Sequence, residues 1–115
     1  GSTVYPALSA AEELEKEGIK ASVINARFVK PLDAELIVRM ATKCGKIVTV
    51  EENVLQGGFG SAVLEMLEEK SVTGIKVKRL GIPDKFVEHG GQDSLRKRYG
   101  IDENGIIKAV KEMLR

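Results

Sequence analysis

Ile47-Val48-Thr49-Val50-Glu51-Glu52-Asn53-Val54-Leu55-Gln56-Gly57-Gly58-Phe59-Gly60-Ser61-Ala62-Val63 decides the fold class of this 115-residue chain. A short β-branched run ends in two carboxylates, and a turn with three glycines in four positions follows. A helical pattern then begins. This is a strand, a loop at its carboxyl end and a helix N-terminus, where open α/β sheets place their ligand and subunit contacts. The glycines allow a close approach of backbone, or a positive φ, because no Cβ intervenes.

Outward from this stretch, helix and strand signals alternate. Ser2 or Thr3 can cap a first helix, and Pro6 is tolerated in its opening turn. Val4, Ala7, Leu8, Ala11 and Leu14 form an apolar stripe at helical spacing, with Glu12 and Lys16 paired on the wet face. Gly18 stands at the C′ position. Ile19 to Ala26 reads as a strand apolar on both faces. Pro31 and Asp33 open a second helix with a stripe of Leu36, Ile37, Met40 and Ala41, which Gly45 ends. After Ile47–Glu51, a third helix carries Ala62, Val63, Met66 and Leu67. Ile75 to Ile82 is a further strand whose Ile75 and Val77 alternate with Lys76 and Lys78, placing it nearer an edge. A short helix spans Ser94 to Arg98. The last helix starts at Asp102, with Ile101 and Ile106 as a hydrophobic staple and Ile106, Ile107, Val110, Met113 and Leu114 as its core stripe.

The predicted order is α-β-α-β-α-β-α-α. Strands separated by single helices pair in parallel, giving an α/β class, three-layer α/β/α domain with a mainly parallel sheet. Such domains begin with a strand, and here none precedes the first helix; the expectation is a single domain, residues 1–115, cut from a longer chain. At this length one domain buries roughly two-thirds of its unfolded surface.

Composition narrows the function classes. Lys+Arg 18 against Asp+Glu 17 leaves a net charge of +1, far from the basic excess with which nucleic-acid binders displace counterions. No apolar run approaches the ~20 residues of a membrane span. The single cysteine, Cys44, excludes an internal disulfide and suits a reducing cytosol.

Four constellations carry the candidate chemistry. Gly57-Gly58-Phe59-Gly60 can hold an anion on bare N–H groups, but it is neither a P-loop nor GxGxxG. The simpler reading is a tight turn that packs Phe59 while backbone abuts a neighbouring domain or subunit. Glu51 and Glu52 point to opposite faces of a strand and cannot form a close acid/base dyad. One of them can turn to a helix N-terminus or to Arg27, which leaves the neighbouring strand. His89, the sole histidine, follows Glu88 and precedes Gly90-Gly91; it is the one side chain that titrates near neutrality unshifted. It stands beside no nucleophile, and one histidine builds no metal site with this cysteine usage. Leu95-Arg96-Lys97-Arg98-Tyr99 reads as a solvated helix face. No catalytic, cofactor or metal residue is assigned, and Arg27, Glu51, Glu52, Gly57, Gly58, Phe59, Gly60, Glu88 and His89 are the candidate interface or anion contacts.

Three segments in one order carry a family resemblance: Arg27-Phe28-Val29-Lys30-Pro31-Leu32-Asp33; Val50-Glu51-Glu52 with Gly57-Gly58-Phe59-Gly60-Ser61-Ala62-Val63; and Gly81-Ile82-Pro83-Asp84 with Phe86-Val87-Glu88-His89-Gly90. Together they resemble the C-terminal domain of the 1-deoxy-D-xylulose-5-phosphate synthases, members of the transketolase family. The Glu-Glu and Gly-Gly-Phe-Gly element also resembles C-terminal domains of 2-oxo acid dehydrogenase β subunits. Asn25 and Gly91 depart slightly from the synthase pattern. The resemblance implies a thiamine diphosphate and Mg²⁺ enzyme that joins pyruvate to glyceraldehyde 3-phosphate with loss of CO₂, for isoprenoid, thiamine and pyridoxal synthesis. It implies a homodimer whose cofactor lies in other domains, while this domain supports the architecture and alone binds no cofactor. It also explains the absent lead strand. A free-standing module holding an anionic metabolite at Gly57–Gly60 is the alternative.

Overall fold

The computed structural model describes residues 4–24, 34–54, 58–82 and 97–114. Within them lie α1 (Val4–Lys16), α2 (Ala34–Cys44), β1 (Lys46–Val54), α3 (Phe59–Glu69), β2 (Lys76–Ile82) and α4 (Glu103–Met113). The two strands pair in parallel, from Lys46 opposite Lys76 to Val50 opposite Leu80. Beyond that point β1 takes four steps to Val54 while β2 takes two to Ile82, so β1 bulges at its carboxyl end.

Strand alternation distributes the apolar side chains between two cores. Val48, Val50 and Leu80 pack with Ala7 and Ala10 of α1, Ile101, and Ile106, Ile107 and Ala109 of α4. On the other face Ile47 and Val77 pack with Ala34, Ile37 and Val38 of α2 and with Phe59, Val63, Met66 and Leu67 of α3. Helices therefore cover both faces of the parallel pair, the expected α/β arrangement. The lysine positions of β2 are exposed, as the alternation implied, although Lys78 shares the face of buried Leu80.

Several expectations need correction. Residues 19–24 form no strand, and Asn25 and Ala26 lie outside the described residues. Of the predicted α1 stripe, Ala7 and Leu14 face the core, but Leu8 is 44% exposed and Ala10, outside the stripe, is fully buried. On α4 the buried pair is Ile106 and Ala109, with Leu114 exposed. In both helices a small alanine faces the neighbour, so α1 and α4 meet on a face that ranking by side-chain size misplaces. Lys16 bonds Glu13 at 2.9 Å rather than Glu12. That hydrogen bond, and then the Glu13 charge, raise the lysine above its ordinary pKa, although an exposed pair adds little stability. The Ser2/Thr3 cap and the Pro31–Asp33 helix start lie outside the described residues, as do residues 94–96 of the short helix; Lys97 and Arg98 are helical.

Helix ends follow their sequence signals closely. Gly18, at φ +83°, lets Ile19 N–H reach the Leu14 carbonyl and Gly18 N–H the Glu15 carbonyl, a Schellman close. Gly45 ends α2 through its bond to the Ala41 carbonyl. Asp102 caps α4 by accepting from Gly105 N–H at 2.8 Å, and Ile101 and Ile106 are both buried in one cluster, as the staple requires. Among the described residues no helix is long and apolar enough to cross a membrane.

Candidate functional site

The carboxyl end of β1 faces the start of α3. Gly58 is the N-cap of that helix, with extended backbone (φ −89°, ψ −163°) and no side-chain cap of its own. No acidic residue occupies the first turn. Both deficits are met from the strand. Glu51, only 6% exposed, accepts Phe59 N–H on Oε1 at 3.0 Å and Gly60 N–H on Oε2 at 2.7 Å. A carboxylate at this position satisfies two amides that the helix itself cannot and lies at the positive end of its dipole. The carboxylate is the anion of this helix terminus.

Gly60 is buried because strand and helix touch there. A Cβ on Gly60 would lie 2.9 Å from Thr49 Oγ1, 2.9 Å from Arg79 Cδ and 3.0 Å from Glu51 Oε2. Thr49 and Glu51 share one face of β1 by alternation, and Arg79 is the register partner of Thr49 on β2. Arg79 Nη1 also donates to Ser61 Oγ at 3.1 Å, tying β2 to the first turn of α3. The buried Thr49 hydroxyl has no hydrogen-bond partner. These contacts make the β1–α3 junction a clamp.

Substituting Gly60 with alanine tests that closeness. The exposed Arg79 side chain can swing away, but Thr49 and Glu51 are buried and cannot. Overpacking of this size costs about 1–3 kcal/mol, partly offset by up to ~1 kcal/mol of helix propensity. The expected result is a lower urea midpoint for Gly60→Ala at unchanged slope; a midpoint equal to the parent's refutes the tight junction.

Of the sequence-derived candidates, Glu51, Gly58, Phe59 and Gly60 come together at this junction, and Phe59 packs into the α2/α3 core. Glu52 continues β1, and its side chain is outside the described residues, as are Arg27, Gly57, Glu88 and His89. Thr49 and Arg79 were not anticipated. Alternation could have placed Thr49 beside Glu51, but Arg79 is found only through the strand register.

A groove of about 140 Å³ opens beside the junction, walled chiefly by Ile37, Ala41, Ile47, Phe59 and Val63, with Cys44 and Thr49 among its linings. Cys44 is free and exposed. Among the described residues no group of three His, Cys, Asp or Glu side chains could hold a metal ion.

The comparisons agree with this architecture. The family model described as "Transketolase, C-terminal domain" matches residues 1–106. The 1-deoxy-D-xylulose-5-phosphate synthase 1 of Geobacter metallireducens is 56% identical over 115 residues, all of this chain and 18% of the relative. The 1-deoxy-D-xylulose-5-phosphate synthase of Syntrophus aciditrophicus is 60% identical over 114 residues, 99% of this chain and again 18% of the relative. The chain thus spans under one-fifth of the length of these curated relatives. A solved structure described as "Split gene transketolase, inactive beta4 tetramer" superposes with a TM-score of 0.82 at 37% identity, over 97% of this chain and 35% of that one. A sheet flanked by helices on both faces, a glycine-rich turn closed by a strand carboxylate, and a family match over nearly the whole length lead to one assignment: the chain belongs to the transketolase C-terminal domain family.

Proposed function

We propose that this chain is the C-terminal domain of a 1-deoxy-D-xylulose-5-phosphate synthase, a cytoplasmic homodimer that condenses pyruvate with glyceraldehyde 3-phosphate and releases CO₂. In this reading the domain is architectural. The observation that carries it is identity of 56% and 60% to two such synthases across the chain. The β1–α3 junction supports the non-catalytic role, because the Glu51 carboxylate spends both oxygens on the backbone of its own domain. A group so engaged is a structural cap rather than a general base, which must reach a substrate proton.

Thiamine diphosphate with Mg²⁺ supplies the carbanion chemistry in that enzyme. The β1–α3 junction does not fit such a group. A diphosphate needs free amides or cations, and the Phe59 and Gly60 amides are held by Glu51. The cofactor belongs, in this proposal, to other domains of the same polypeptide. In the same proposal Gly57 and Gly58, with Arg27, Glu52, Glu88 and His89, contact sister domains or the second subunit, while Phe59 and Gly60 pack within their own domain.

Two measurements test the reading. The protein containing this chain at its full length should form the synthase product from pyruvate and glyceraldehyde 3-phosphate with thiamine diphosphate and Mg²⁺; failure across purified preparations of intact dimer overturns the assignment. In that protein Gly58→Trp should weaken dimerisation in sedimentation velocity and leave the affinity for anionic metabolites unchanged. An intact dimer with lost metabolite affinity instead establishes a ligand site at the turn.

A further inference from the structure

We infer that Asn104-Gly105 is a latent deamidation site, held closed by the Asp102 cap of α4. The chain has three asparagines, followed by Ala26, Val54 and Gly105, so only Asn104 precedes a glycine. A glycine there offers no Cβ to obstruct attack on the preceding side chain, and asparagine is the thermolabile partner. Packing makes that glycine obligatory. A Cβ at position 105 would collide with the Gly100 carbonyl group, and backbone cannot step aside. The turn that seats α4 therefore forces the most reactive successor onto an exposed asparagine.

The reaction needs only water. Gly105 N attacks Asn104 Cγ, the Cγ–Nδ2 bond breaks, and ammonia leaves with the proton from Gly105 N. Water then opens the cyclic imide at either carbonyl, giving aspartate or isoaspartate at position 104. Each step meets an obstacle in the folded chain. Gly105 N–H is donated to Asp102 Oδ1 at 2.8 Å, and Asn104 and Gly105 are both fixed in the first turn of α4. The attacking nitrogen is free to approach Cγ only when that turn opens locally. Isoaspartate would place the Cβ of residue 104 in the main chain and lengthen the turn that Ile101 and Ile106 staple to the core.

The test is ageing of the intact protein in mildly alkaline buffer, with mass spectrometry of the peptide spanning residue 104. The NH₂-to-OH mass gain and the separation of aspartate from isoaspartate provide the readout. A synthetic peptide of residues 100–109 supplies the unprotected rate. Native protein should react more than roughly tenfold slower than the peptide, since the turn is mostly closed. Asp102→Ala should react about fivefold faster than the parent, the factor equivalent to a typical cap, and Asp102→Ser, which keeps a capping oxygen, should stay near the parent. A urea series on the unmutated protein, below its transition, should leave the rate nearly flat, as local opening exposes little surface. Native and peptide rates that coincide overturn the inference. So do equal rates in Asp102→Ala and parent, or a rate that climbs with urea in step with global unfolding.

Discussion

Gly105→Ala is expected to cost about 3 kcal/mol of unfolding free energy, the upper part of the overpacking range. Alanine normally gains ~1 kcal/mol over glycine inside a helix. Here the new Cβ would collide with the oxygen, carbonyl carbon and Cα of Gly100. No rotamer removes a Cβ, and the obstacle is main chain. α4 must therefore lift from the turn before it, straining both the Asp102 cap and the Ile101–Ile106 contact. Since small domains hold only about 5–15 kcal/mol in all, the loss should show plainly as a reduced urea midpoint. A variant within about 0.5 kcal/mol of the parent, the usual range of a neutral surface change, would mean that α4 does not sit against Gly100.

Glu51→Ala is the second large effect. It removes two charge-assisted bonds and leaves the Phe59 and Gly60 amides at a buried helix start with nothing to accept them. Bonds to charged groups are worth about 1.5–3 kcal/mol each by mutation, and the helix dipole adds up to ~1 kcal/mol at a favourable terminus. A combined loss near 3 kcal/mol follows, with some relaxation of the alanine site onto water. Glu51→Gln keeps the shape and one acceptor oxygen but turns an NH₂ group toward the other amide, so it should fall between parent and alanine. Equilibrium urea unfolding ranks the three. A glutamine variant as stable as the parent would show that charge and the second acceptor contribute nothing, and that Glu51 acts through packing alone.

The same two sites show how far the residues alone could be read. Helix ends were legible because their signals are local. Gly18, Gly45 and Asp102 each act within a few positions along the chain, and the hydrogen bonds close as their spacing implies. The carboxylate pair after a β-branched run was likewise readable as one side chain turning to a helix N-terminus or to Arg27, and the first is what β1 and α3 show. Which glutamate, and onto which amides, followed from the face of β1 that meets α3. The faces of α1 and α4 were only partly read, for a related reason. Ala10 and Ala109 bury almost completely, at 0% and 3% exposure, because the helices approach closely there, whereas the larger Leu8 and Leu114 stay outside. Side-chain size predicts burial only where the distance to the neighbour is known.

The sequence by itself determined the α/β class, the helix ends at Gly18 and Gly45, the helix start at Asp102, the alternating pattern of β2 and the family motifs, all of which rest on periodicity and short-range chemistry. Only the tertiary structure decided the clamp of Thr49, Glu51, Gly60 and Arg79, and the contact that makes Gly105 obligatory. Those depend on the parallel register of β1 with β2 and on how closely a helix start and a turn are pressed together. Register and distance are relations between elements far apart along the chain, so the short-range chemistry of either element alone does not fix them.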